Sequence, residues 1–271
     1  MQGASRDSLA AARERLDALL AGGASNPIAA GEELFAVVDL LDGQAALRAA
    51  LTDPSRDATD KSVLAADLLG GKLSDAVVEF VADTARSRWS APRDLGDALE
   101  QLGVQAVLVS AEGAGRLDEV EDELFRFSRI VDSEPALRST LTDRGIPADR
   151  KAALLGSLLD TRSSAEAAQL VTRVVTRPRG RQIEDALAAV GAAVARRRER
   201  LVATVTTAVP LTQEQSDRLA AALARQFGHV VHLNIVVDPA VIGGMRVALG
   251  DEIIDGTIST RLHEAARSLA R

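Results

Sequence analysis

The chain has 271 residues, more than one hydrophobic core usually accommodates, so two or more folding units are expected. Apolar residues make up 46%, enough for buried cores, and the formal net charge of −7 argues against a general nucleic-acid-binding role, which needs a basic face. There is no Cys, which excludes disulfides and thiolate metal ligands and leaves the redox compartment open.

Ala and Leu dominate the apolar set, with five Phe, one Trp and no Tyr, and such residues lose little rotamer freedom in a helix. Met1–Leu20 carries charges throughout, which is unlike a secretory signal. No segment approaches the ~20 apolar residues of a membrane span, and Ala186–Ala195 is too short and too Ala-rich. The expectation is a soluble, cytoplasmic chain that meets a membrane only through a partner.

The first clear element starts at Leu34, where LFAVVDLLDGQAALRAALTD carries an apolar stripe of Leu34, Val37, Val38 and Leu41. The segment from Leu124, LFRFSRIVDSEPALRSTLTD, repeats it 90 residues later, and LRxxLTD recurs in register. Lys61/Lys151, Leu64/Leu154, Leu68/Leu158 and Leu69/Leu159 keep that offset, and Asp97/Asp185, Leu99/Leu187 and Gly103/Gly191 match at 88. A tandem duplication is implied. In copy one Val77, Val78 and Val81 add part of another stripe. The Asp97–Glu112 helix closes copy one and is expected to open copy two.

Copy two carries the stripe Leu117, Val120, Leu124, Phe127 and Val131, then stripes at Leu154–Leu159, Leu170–Val175 and Ile183–Val194. Asp53-Pro54, Gly70-Gly71, Ala91-Pro92, Gly113–Gly115, Gly145–Pro147 and Pro178–Gly180 punctuate the stripes with turn chemistry. Short helices with short links and one-sided apolar faces predict antiparallel bundles.

From Leu201 the period changes to two. LVATVTTAVP, Val231–Val237 and Met245–Leu249 read as three strands. A helix lies between the first two, with Thr212 and Gln215 forming a capping box, Leu219, Leu223 and Phe227 its stripe, and Gly228 its end. A last helix is expected near Ser259–Ala270. The predicted fold class is mainly α: two tandem antiparallel helical bundles, residues 1–104 and 105–200, followed by a small α+β domain, 201–271.

VATVTTAVPLTQEQSDRLAAALARQFG, followed by VDPAVIGGMRVALGDEIIDGTISTRL, resembles the C-terminal domain of the F-type ATP synthase delta-subunit family, which includes the mitochondrial oligomycin-sensitivity-conferring protein. Leu124 to Leu159 is similar to that family's N-terminal bundle. The resemblance covers roughly residues 100–271, and the additional copy in front looks like the long actinobacterial form. It implies a non-catalytic stator without a cofactor, peripheral on the cytoplasmic face of the cell membrane, resisting rotor torque in a proton-translocating enzyme. Its implied partners are the N-terminal helices of the alpha subunits and the C-terminal end of the b subunit. The chain would be monomeric within that hetero-oligomer, without nucleic acid and touching membrane only indirectly. The resemblance places the docking candidates Leu124, Phe127, Val131, Leu170 and Val174 on copy two. It makes Asp238, Pro239, Gly243, Gly244, Asp255 and Gly256 turns of the family motif.

Other residues compete for a functional reading. His229 and His232 sit three apart on a strand and so point to opposite faces, and with His263 they are expected to be structural or surface residues rather than metal ligands. No nucleophile elbow, P-loop or GxGxxG is present, so the glycines read as turns. The arginines between Arg177 and Arg200 read as a solvated helix end complementing the helix dipole, or as docking against acidic partner helices. The alternative function is a tandem-helical scaffold or regulatory protein, nucleic-acid-associated through Arg177–Arg200. Trp89 is expected to pack at a helix end.

Overall fold

The computed structural model describes residues 3–23, 25–159, 163–198, 201–227, 231–238, 241, 243–249 and 252–255. They divide into two compact units, Met1–Val194 and Ala195–Arg271.

Unit one is helical throughout. Copy one comprises α1 (Ala4–Ala21), α2 (Pro27–Gly43), α3 (Ala45–Thr52), α4 (Ala58–Leu69) and α5 (Asp75–Arg86). Then comes α6 (Pro92–Gly113), and copy two continues with α7 (Leu117–Ser133), α8 (Pro135–Thr142), α9 (Ala148–Leu159), α10 (Ala165–Thr176) and α11 (Ile183–Arg198). The 90-residue offset maps α1 onto α6, so α6 closes copy one and opens copy two. A domain line at 104/105 therefore falls inside one unbroken helix, and the copies meet through that helix instead of a linker.

The repeated motifs have repeated physical jobs. In LRxxLTD the Thr52 and Thr142 hydroxyls donate to the carbonyls of Arg48 and Arg138, each at 2.8 Å. The following carboxylates take the turn's amide, Asp53 Oδ1 from Ser55 N–H and Asp143 Oδ1 from Gly145 N–H. Lys61 is buried and donates its ammonium to the Ser87 carbonyl at 3.1 Å. A second matched pair went unread in the sequence: the Glu33 carboxylate accepts from both the N–H and the hydroxyl of Ser74, and Glu123 does the same for Ser164. The second pair follows the first at the 90-residue offset, and each fixes the start of the penultimate helix of its copy, α5 or α10.

Two cores result. One gathers α1 to α6 around Leu16, Leu34, Leu41, Leu95 and Leu99; the other gathers copy two around Leu124, Leu155, Leu170 and Val194. Phe35 belongs to the second core although its helix is in copy one. Trp89 is buried and donates its indole N–H to the Thr84 carbonyl at 3.2 Å, which is the expected packing role.

Unit two is a mixed sheet of order β2-β1-β3-β4. Its strands are β1 (Leu201–Thr207), β2 (Val231–Val237), β3 (Met245–Leu249) and β4 (Glu252–Asp255). β1 and β2 pair in parallel through the intervening α12 (Gln213–Phe227), while β3 pairs antiparallel with both β1 and β4. The Thr212 capping box forms as read: Gln215 N–H donates to Thr212 Oγ1 and Gln215 Oε1 accepts from Thr212 N–H. Leu223 packs on Ala203, Val205, Val231 and Val247. Alternation in the sequence predicts three strands, β1 to β3. Glu252–Asp255 is a fourth, so Asp255 closes a strand beside β3. The helix expected near Ser259–Ala270 lies outside the described residues.

Candidate partner-docking surfaces

The five residues expected to dock partners do not form a surface. Leu124, Phe127, Val131, Leu170 and Val174 are all buried in the second core. The same apolar periodicity that marked them as a contact stripe makes them the inside of their own bundle. Any partner must use what they leave outside.

The motif turns divide similarly. Gly243 and Gly244 both adopt positive φ, 64° and 79°, a region that favours glycine, so their turn requires these residues. Asp238 follows β2, and its backbone N–H donates to the Thr207 carbonyl at 2.8 Å. Pro239 and Gly256 lie outside the described residues. His232 lies in β2, and His229 and His263 lie outside the described residues.

The most developed polar site joins the two copies. Arg173 on α10 is buried beside Glu100 of α6, and its Nη2 donates to Glu100 Oε2 at 2.6 Å. Its Nη1 reaches Asp39 Oδ1 of α2 at 2.7 Å, and its Cζ lies 4.7 Å from the centre of the Phe35 ring. Burial alone would lower the guanidinium's pKa. The hydrogen bonds and charges of Glu100 and Asp39 more than offset that, holding it above its ordinary value. Arg177 Nε donates to Asp39 Oδ2 at 2.8 Å. Arg179, just beyond α10, donates to Asp42 at 2.6 Å and lies 2.9 Å from Asp97. Burial works against its charge too, and Asp42 and Asp97 outweigh it.

The backbone makes room for this clamp. A Cβ on Gly103 would lie 2.5 Å from Phe35 Cε1, and one on Gly31 would lie 2.7 Å from Val107 Cγ2. These glycines let α2 and α6 approach until the Phe35 ring lies on the α6 backbone.

Arg177 and Arg179 are thus committed to carboxylates of the chain's own α2 and α6, which removes them from the basic cluster proposed for nucleic acid. The acidic helices these two arginines meet are the chain's own, not a partner's. Glu166 at the start of α10 forms a second buried link. It is fully enclosed, accepts from Ser110 Oγ at 2.8 Å, and pairs with Arg116 at 2.7 Å. Burial raises its pKa, while its own backbone N–H, Ser110 and Arg116 outweigh that and leave it below the ordinary glutamate value.

What remains outside on copy two is distinctive. Phe125 and Ile130 on α7 are 66% and 50% exposed, and Leu158 on α9 is 45% exposed. No helix among the described residues is long and apolar enough to cross a membrane.

Comparison with known proteins supplies the family. The family described as ATP synthase delta (OSCP) subunit matches residues 104–269, beginning within α6 and covering copy two and unit two. Relatives named ATP synthase subunit delta match at full length. The one from Streptomyces coelicolor is 51% identical over 270 residues, covering 100% of this chain and 98% of the relative. The one from Streptomyces avermitilis is 51% identical over 268 residues, covering 99% and 98%. The one from Streptomyces griseus subsp. griseus is 49% identical over 270 residues, covering 100% of both. The chain belongs to the ATP synthase delta (OSCP) subunit family, and copy one is common to it and these Streptomyces relatives.

Proposed function

We infer that this chain is a peripheral-stalk subunit of a proton-translocating F-type ATP synthase, tying the catalytic head to the b subunit so that the head does not turn with the rotor. The observation that carries the reading is the full-length match to delta subunits, copy one included. The finer assignment gives the helical unit the N-terminal helices of the alpha subunits and gives unit two the C-terminal end of b. It places the chain on the cytoplasmic face of the membrane, held there by its partners. The chain contributes grip and stiffness to the enzyme and no catalytic side chain.

The physics of unit one suits that work. A joint that transmits torque needs few soft degrees of freedom. The shared α6, the ring seated on Gly103 and the buried Arg173–Glu100 pair leave the two copies no linker to bend. Helix-in-groove contacts provide durable interfaces of the required kind.

Removing this chain from purified ATP synthase and adding it back tests the reading. ATP hydrolysis by the head should survive removal, proton pumping should fall, and the full chain should restore pumping. Coupling that is unchanged after complete removal would sink the assignment.

A further inference from the structure

α2 and α7 are the same helix of the repeat, yet they are covered differently. On α2 the stripe Gly31, Phe35 and Val38 is buried. The corresponding residues of α7, Glu121, Phe125 and Ser128, are not buried. The end of a repeat array is expected to present a polar outer face, and Glu121 and Ser128 comply. Phe125 does not: it is 66% exposed, against 6% for Phe35.

The filled position shows what the vacant one is shaped to hold. Phe35 lies against the glycine backbone of α6 with Arg173 over its face, and Asp39, one turn on, pairs with Arg173 and Arg177. One turn after Phe125 stands Arg129, so the charge beside the ring is inverted relative to Asp39. Within copy two the ring finds no such seat: Gly191, the counterpart of Gly103, has no atom within 4 Å of its Cβ position. Ile130 extends the apolar surface past Arg129.

We propose that the outer face of α7, built on Phe125, Arg129 and Ile130, docks one helix of a partner subunit in the assembled ATP synthase. That helix offers a Gly or Ala to the Phe125 ring and an Asp or Glu to Arg129. The inference rests on the family reading above. It adds a contact face formed by residues that neither core uses.

The test uses the full chain with two probes, the purified catalytic head and the soluble part of the b subunit. Phe125→Ser and Arg129→Glu should each weaken binding to one probe about tenfold or more, as loss of an interface anchor does. Phe125→Leu should stay near wild type, and the Trp89 fluorescence unfolding midpoint should not move for any of the three. Wild-type binding with both Phe125→Ser and Arg129→Glu unaffected overturns the docking face and leaves the stator reading standing. Wild-type failure to bind either probe removes both. If sedimentation instead shows the wild type dimerising and Phe125→Ser monomeric, the occupant is a second copy and the partner-helix assignment is wrong.

Discussion

Arg173→Met probes the joint between the copies most sharply. Arg173 and Glu100 have side chains only 7% and 9% exposed, so losing the guanidinium leaves a carboxylate in the interior without its hydrogen-bonded partner. Breaking a buried pair from one side costs about 3–5 kcal/mol. In a helical unit of 194 residues, ~2–4 °C per kcal/mol turns that into a fall of roughly 6–20 °C in Tm. Trp89, the chain's sole Trp, is buried in unit one, so its fluorescence follows this unit and not the sheet. Arg173→Met/Glu100→Leu removes the stranded charge as well and should recover at least half of the loss. Asp39 would retain Arg177 at 2.8 Å and is one-third exposed. A single variant costing less than about 1 kcal/mol, or a double variant as damaged as the two singles together, would refute the reasoning, because coupled sites should depart from additivity.

The two repeat glycines should respond with opposite signs. Gly103→Ala forces a Cβ to within 2.5 Å of the Phe35 ring and should destabilise by about 1–3 kcal/mol. Gly191→Ala, in open space within α11, should gain up to about 1 kcal/mol from helix propensity in urea unfolding. For Glu166 the folded pKa lies below the ordinary value, so its contribution is full above that value and disappears as pH falls through the folded pKa. The stability difference between wild type and Glu166→Gln should therefore be large at neutral pH and shrink in acid; a gap that widens on acidification would contradict it. Thr212→Ala should cost about 1 kcal/mol and speed amide exchange in the first turn of α12. Deleting residues 1–90 takes α2 off Gly103 and Val107 and strands Arg173 and Glu100 without Asp39, so the remainder should melt well below the intact chain by Trp-independent circular dichroism.

The duplication, the helical class and the sheet's first three strands were legible because each follows from a local period: LRxxLTD twice, stripes three or four apart, then alternation from Leu201. β4 was missed because Glu252–Asp255 is four residues long and ends in a residue that signals turns. The docking residues were misplaced for a deeper reason. Periodicity identifies an apolar face and cannot distinguish a face that meets a partner from one that meets the same bundle, so Leu124 and Leu170 looked alike under either reading. Arg173 carried a faint signal: a cation inside the stripe Leu170–Val175 requires a buried counter-charge. Glu100, 73 residues away on α6, could be matched to it only through the fold.

The shared helix also explains how one repeat yields two different surfaces. α6 is 22 residues long, about 33 Å at ~1.5 Å per residue, and copy one packs along one stretch of it while copy two packs along the other. With no linker between them, relative motion would require α6 to bend or α2 to slide across Gly103. The Phe35 ring blocks sliding sterically, and Arg173 opposes it by holding α2, α6 and α10 through two carboxylates at once. Closing that joint consumes the outer stripe of α2. α7 has no following copy to cover the corresponding stripe, so the repeat leaves Phe125 exposed there.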